Sequence, residues 1–201
     1  MMNYKYGRIK MNKEMERWET IDGVNYLKKI GIKTGQVVLD FGANVGHYSI
    51  PAAIVVGKDG LVYAVDKEQE PLNKLEVKAI ALGLENIKTI NNAEEVKLAL
   101  QNNSVDVVLL YDILHYLKKE ERKILYCELF RILKPNGLLS VYPKHVVEDY
   151  PLMEFHNIHI EDVKQEIGDS GFLFYRKYCS KMSHDDELNS GCVLNFKNKQ
   201  I

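Results

Sequence analysis

The chain has 201 residues, 46% hydrophobic and 27% charged, the balance of a globular protein with one full core. Its formal net charge of −1, from 27 basic and 28 acidic side chains, provides no overall field to attract nucleic acid or an anionic membrane. The cysteines Cys127, Cys179 and Cys192 include no C-x-x-C pair, and no signal-length or membrane-length apolar run is present, so free thiols and a reducing, cytoplasmic setting are expected.

Between Met11 and Ile30, the residues Trp18, Ile21, Val24, Leu27 and Ile30 recur at three-residue steps, which predicts an amphipathic helix ended by Gly31. Val37 to Asp40 is an apolar strand that runs into the turn Phe41-Gly42-Ala43-Asn44-Val45-Gly46, and a helix from His47 to Val56 follows, with Pro51 admissible only in its first turn. A second strand closes at Asp66. Leu72, Leu75, Ala79 and Leu82 then set a helix over Glu70 to Leu82, capped by Gly83. Ile87 to Ile90 reads as a third strand, Glu94 to Leu100 as a short helix, and the near-continuous apolar run Val105 to Leu110 as a strand buried on both faces.

The alternation continues with a helix from Lys119 to Leu133, a stop signal Lys134-Pro135-Asn136-Gly137, a strand from Leu138 to Tyr142 and a helix from Asp162 to Ile167. Phe172 to Tyr178 and Cys192 to Phe196 have no helix between them and are expected to pair as an antiparallel hairpin. Alternating strand and helix units imply an α/β fold, a doubly wound and mostly parallel sheet with right-handed crossovers, finished by a reversed strand.

Two features carry chemistry. A strand that delivers Asp40 and then Gly42 and Gly46 to its C-terminal edge builds a cradle in which backbone approaches a ligand without a Cβ in the way. About 20 residues further on, Asp66 ends the next strand at the spacing of a carboxylate that accepts from both ribose hydroxyls. Together they point to a nucleoside-type cofactor. A nicotinamide fingerprint G-x-G-x-x-G is not met, because Asn44 takes the middle glycine and Asp40 precedes the turn. The bland alternative for Asp66 is an N-cap on the following helix. Asp106 reads as a strand-start residue, and neither Tyr48 nor Tyr63 is given a role by residue type.

The ordered set Asp40 to Gly46, Asp66, Asn92-Ala93-Glu94, Asp106 to Leu117 and Leu133 to Leu138 resembles the class I S-adenosylmethionine-dependent methyltransferases, a methyltransferase type 11/25-like domain of the group that acts largely on small molecules. The resemblance, from about Ile30 to Phe196, implies a Rossmann-like seven-stranded sheet with a C-terminal hairpin and S-adenosyl-L-methionine as cofactor. It assigns Asp40, Gly42, Ala43, Asn44, Val45 and Gly46 to the methionine end and Asp66 to the ribose. Adenine is expected near Lys67 and Val45, its amine facing Asn92 where the family often has aspartate, with Ala93, Glu94 and Tyr111 completing the site. Asparagine accepts through its carbonyl and, at Asn44, tolerates left-handed backbone better than most residues.

The methyl acceptor, expected to be a small molecule, belongs beyond the fourth strand, at Tyr111-Asp112-Ile113-Leu114-His115-Tyr116. His115 is the candidate general base by its intrinsic pKa, with Asp112 and Tyr111 beside it; the alternative is packing or capping. His145, His156 and His159 fall after the fifth strand. His156 and His159 with Asp162, and likewise His184-Asp185-Asp186-Glu187, read as solvated turns, so no metal site is expected. The cysteine spacing suggests no thiol relay of the arsenic-methylating kind. Residues 1–30 are expected to form a helical cap on a cofactor domain spanning 31–201. Its basic residues Lys5, Arg8, Lys10, Lys13 and Arg17 are read as a solvated face, with Tyr4, Tyr6 and Trp18 available for a lid.

Overall fold

The computed structural model describes residues 13–92 and 97–199. Helix α1 (Lys13–Arg17) passes through a π-helical turn (Trp18–Asp22) into α2 (Gly23–Ile30), so the apolar stripe expected over 11–30 lies on one helical path with a widened turn in its middle. That turn brings Trp18 and the carboxylate of Glu19 into the interior together. Gly31, at φ 114°, caps α2 by donating its N–H to the carbonyls of Leu27 and Lys28.

The remaining elements follow as β1 (Val37–Phe41), α3 (Ser49–Val56), β2 (Leu61–Asp66), α4 (Gln69–Ala81), β3 (Ile87–Asn91), β4 (Val105–Tyr111), α5 (Lys119–Ile132), β5 (Leu133–Tyr142), α6 (Ile160–Asp169), β6 (Phe172–His184) and β7 (Glu187–Asn198). They form a seven-stranded sheet in the order β3-β2-β1-β4-β5-β7-β6. The strands β1 to β5 pair in parallel, and β7 runs antiparallel to both neighbours. The expected doubly wound sheet with a closing hairpin is the observed one.

Both faces are covered, which is why the central strands carry near-continuous apolar runs, broken by Asp40 in β1, Asp106 in β4 and Ser140 in β5. On β4, Val107, Leu109 and Tyr111 pack with α2 and α3, while Val108 and Leu110 pack with α5 and α6. Each such side chain contributes about 1.5–3 kcal/mol by leaving water. Trp18, Tyr26, Leu27 and Ile30 belong to the same core as Val38 and Val62, so the N-terminal helices are built into one face of the sheet.

Four expectations change in detail. Strand β5 starts five residues early, at Leu133; its pairing with β4 jumps from Val105↔Leu133 to Val107↔Leu138, so Lys134 to Gly137 form a bulge inside the strand rather than a loop before it. Of the short helix expected over 94–100, residues 93–96 lie outside the described ones and 97–100 are not helical. The hairpin is much longer than the sequence suggested, pairing from Phe172↔Asn198 to His184↔Glu187, with Asp185 and Asp186 both at positive φ in a tight two-residue turn. Pairing Cys179 with Cys192 across β6 and β7 gives a disulfide, correcting the expectation of free thiols; Cys127 is the free one, and it is exposed. Among the described residues no helix is long and apolar enough to cross a membrane.

Candidate cofactor and acceptor site

Strand order reverses between β1 and β4, so the connections after these two strands leave in opposite directions and open a crevice at their C-terminal ends. A cavity of about 720 Å³ occupies it. It is lined by Gly42, Ala43, Asn44, Asp66, Lys67 and Asn92 from the segments after β1, β2 and β3, and by Tyr111, Asp112, Ile113, Ser183 and Asp185 from the end of β4 and the hairpin; Ile113 lies against Gly42 where the two sets meet.

The loop after β1 is shaped by its glycines. Gly42 and Gly46 sit at φ 85° and 91°, and a Cβ on either would lie 2.3 Å from a carbon of Ile113 or of Leu75. Asn44 takes φ 46°, as expected of an asparagine replacing glycine. The loop is tied to β2: the N–H groups of Gly42 and Ala43 donate to the carbonyl of Val65 at 2.8 and 2.9 Å. The carboxylate of Asp66 accepts from Asn44 N–H at 2.8 Å through Oδ2 and from Glu68 N–H at 3.0 Å through Oδ1. Each oxygen keeps a further lone pair for a diol. Asp66 is not the N-cap of α4, which is Glu68; its bond to Glu68 N–H closes the turn before the helix and leaves the ligand-binding reading open.

Asp40, Val45 and Gly46 do not line the cavity. Asp40 lies beneath the loop, buried, where it accepts from Ser49 Oγ at 2.6 Å; burial raises its pKa to about 7 despite that bond. Ala93 and Glu94 lie outside the described residues. Tyr111 forms part of the wall with its ring, but its hydroxyl is engaged between Tyr26 (3.1 Å) and Ser140 (2.7 Å), and burial keeps it protonated far above its usual range. Asp106 is structural, accepting from Val37 N–H and from Lys134 Nζ, both at 2.8 Å.

An ionic clamp centred on buried Glu19, not read from the sequence, holds the loop through His47, which also lines the cavity. Glu19 Oε1 faces His47 Nδ1 and Lys78 Nζ, each at 2.7 Å; His47 Nε2 faces Asp186 Oδ1 at 2.6 Å; Lys78 also donates to the carbonyl of Val45. The π turn, the cofactor loop and α4 thus meet at the Glu19 carboxylate, and His47 links that carboxylate to the hairpin tip. Nearby, Trp18 Nε1 donates to the carbonyl of His47 and Tyr48 Oη to that of Ser183.

At the acceptor end the sequence candidates separate. Asp112, at φ 57°, is among the residues lining the cavity, but of its carboxylate oxygens Oδ1 is buried and Oδ2 is bonded to His184. His115 is only 2% exposed and does not line the cavity; its Nδ1 has no hydrogen-bond partner and stands 3.8 Å from Asp112 Oδ1. Burial, reinforced by the nearby His145 and His184, pushes His115 down to about 4, which makes it a weak proton acceptor. His145 and His184 complete the cluster: His184 Nδ1 donates to Asp112 Oδ2 at 2.6 Å, and His145 Nε2 lies 3.8 Å from Asp112 Oδ1. His184 was expected in a solvated turn and is instead mostly covered, because the hairpin is long enough to fold its tip over the end of β4. His156 and His159 lie in an exposed stretch before α6, and Asp162, exposed in its first turn, accepts from the N–H of the N-cap residue His159 at 2.8 Å.

A parallel sheet with its crevice at the β1/β4 reversal, a side-chain-free loop and an acid at the end of β2 defines a nucleoside-cofactor-binding α/β domain. Residues 38–137 match a family model described as a methyltransferase domain. The fold superposes on the crystal structure of a SAM dependent methyltransferase from Aquifex aeolicus with a TM-score of 0.73 and 26% identity, covering 92% of this chain and 97% of that one. A probable cobalt-precorrin-6B C(15)-methyltransferase (decarboxylating) from Saccharolobus solfataricus is 34% identical over 85 residues, 42% of this chain and 43% of that protein. A ubiquinone/menaquinone biosynthesis C-methyltransferase from Salmonella arizonae is 28% identical over 145 residues, 69% of this chain and 54% of that protein. The chain spans about half the length of these curated relatives. It belongs to the class I S-adenosylmethionine-dependent methyltransferases.

Proposed function

We propose that the protein is an enzyme that methylates a small molecule with S-adenosyl-L-methionine, releasing S-adenosyl-L-homocysteine. The observation that carries this reading is that one cavity is lined both by Gly42 to Asn44 with Asp66 and by the residues after β4, Asp112 among them. When bound, the cofactor supplies an electrophilic methyl carbon on a sulfonium: the acceptor's lone pair forms the new bond as the carbon–sulfur pair returns to sulfur.

The chain's task is alignment and exclusion of water. Asp66 fixes the ribose, the exposed backbone of Gly42 to Asn44 accommodates the amino-acid end, and Asn92 faces the adenine. Asp112 stands on the acceptor side, since it lines the cavity while the Tyr111 hydroxyl is engaged and His115 does not line it. Residues 1–30 are assigned a capping role on the domain of 31–201; residues 1–12, with Tyr4 and Tyr6, lie outside the described ones, and the role rests on the bonds from Trp18 and Glu19 to His47. A cytoplasmic location belongs to the same reading and fits small-molecule substrates. The Cys179–Cys192 bond weighs against it, since disulfides persist mainly in oxidising compartments.

Calorimetric titration with S-adenosylmethionine, S-adenosylhomocysteine and NAD tests the cofactor, with binding of the first two expected. Transfer of labelled methyl to components of a metabolite extract tests the enzyme. Binding of NAD alone would overturn the reading, and cofactor binding without transfer would leave a non-catalytic binding protein.

A further inference from the structure

The geometry points to a divalent transition-metal site formed by Asp112, His145 and His184 at the acceptor end of the cavity. The potential ligand atoms of these three side chains lie within 4.8 Å of one another. They come from three separate segments: the end of β4, the loop after β5 and the hairpin tip.

Hydrogen bonding has prepared the donors. His145 Nδ1 lies 3.1 Å from the carbonyl of Tyr150, which only accepts, so the ring proton sits on Nδ1 and Nε2 presents a lone pair toward Asp112 Oδ1, 3.8 Å away. That oxygen is buried and has no hydrogen-bond partner. A second polar atom is stranded at the same place, His115 Nδ1, itself buried and also 3.8 Å from Asp112 Oδ1. Buried polar atoms are rarely left without partners. A cation among these atoms would satisfy what no protein donor does.

The spacing suits an ion. Ligand atoms bound at about 2.1 Å stand about 3.0–3.4 Å apart in octahedral or tetrahedral geometry. The separations here are 3.8 Å from His145 to Asp112 Oδ1 and 2.6 Å from His184 to Asp112 Oδ2, and one atom from each of the three side chains falls within 4.8 Å of the others, so side-chain shifts of about an ångström close the set on an ion. On binding, Nδ1 of His184 must give up the proton it shares with Asp112 Oδ2: a neutral ring moves it to Nε2 by tautomerisation, and an imidazolium releases it to solvent. The nearest lysine does not oppose a cation, because Lys144 is paired with Asp149 at 2.6 Å. Asp112 and His145 hold left-handed backbone at φ 57° and 63°, strain that collects at functional positions.

Two imidazoles and one carboxylate suit zinc, iron(II), cobalt or nickel rather than magnesium or calcium. Three protein ligands leave coordination positions open, and Asp112 lines the cavity. Resting on the methyltransferase reading, the ion's role is to bind and acidify an oxygen or sulfur nucleophile of the acceptor, which yields its proton to solvent before attack.

The test uses untagged, chelator-treated protein titrated with Co²⁺ and with Zn²⁺. Visible cobalt absorption bands are expected, bleached by Zn²⁺. The variants His145→Ala and His184→Ala should each weaken zinc binding more than about tenfold, the low end of what even loss of a ligand's outer hydrogen-bonding partner costs, whereas His159→Ala should not. The absence of cobalt bands from the unmodified protein would overturn the site whether or not the variants fold, as would binding that is lost with His159 and kept without His145 and His184. S-adenosylhomocysteine affinity, measured before and after chelation, should not change, so failure of the metal site and failure of the cofactor site read out separately.

Discussion

The backbone N–H of Asn44 donates to Oδ2 of Asp66 at 2.8 Å, so the tip of the loop after β1 and the acid that closes β2 form one unit. Replacing Asp66 with alanine removes both the diol acceptor and the anchor of the loop. S-adenosylhomocysteine binding, followed by calorimetry, should weaken about 100-fold, the equivalent of one strong or two modest charge-assisted hydrogen bonds. Asp66→Asn keeps an acceptor for Asn44 and should fall between. Unchanged affinity in Asp66→Ala would remove the ribose assignment.

Gly42→Ala places a methyl 2.3 Å from Ile113 Cγ2 on a backbone at φ 85°. A stability loss of about 1–3 kcal/mol is expected in urea unfolding, with weaker cofactor binding. Adding Ile113→Ala relieves the clash but not the backbone strain, so recovery should be partial. Full recovery would mean that the left-handed conformation carries no cost.

Glu19 is 1% exposed and faces His47 and Lys78, so its removal strands a buried cationic neighbourhood. Glu19→Ala should lower unfolding stability by about 3 kcal/mol, whereas Glu19→Gln, which keeps an acceptor, should cost less. A melting temperature equal to the parent's for Glu19→Ala would show that the clamp contributes nothing net.

Burial raises Asp40 from an ordinary 3.8 to about 7. The folded chain therefore holds this proton more tightly than the unfolded chain does. From this group, stability falls as pH rises from about 4 to about 7, by at most about 1.4 kcal/mol per pH unit, and is flat above. Asp40→Asn should lack that component of the slope. Parallel denaturation profiles for parent and variant across the range would refute it.

Native protein should show one titratable thiol, from the exposed Cys127, and three after reduction and unfolding. Three accessible thiols without reductant would restore the free-thiol expectation and remove the objection to a reducing compartment.

Much of the fold was readable because it rests on local pattern. The both-face apolar runs of β1, β2 and β4 and the glycine ends of α2 and α4 are statements about adjacent residues, and the cofactor end inherits that legibility, since Gly42, Asn44 and Asp66 lie at strand ends. The acceptor end was not legible in the same way. Asp112, His145 and His184 meet only because β5 and the hairpin carry distant segments back to β4, and no spacing in the chain records that contact. One available signal was missed: the alternation from Phe172 onward continues past Tyr178, and the Asp185-Asp186 pair is suited to a tight left-handed turn. A full-length hairpin would have brought Cys179 opposite Cys192 and lifted His184 out of solvent.

That turn touches both halves of the crevice. Asp186 holds His47 beside the methionine loop, while His184, two residues earlier, holds Asp112 at the acceptor edge. A single two-residue bend therefore works as a shared latch: loosening it by substitution should shift the KM values for donor and acceptor together, and neither ligand's exchange is mechanically private.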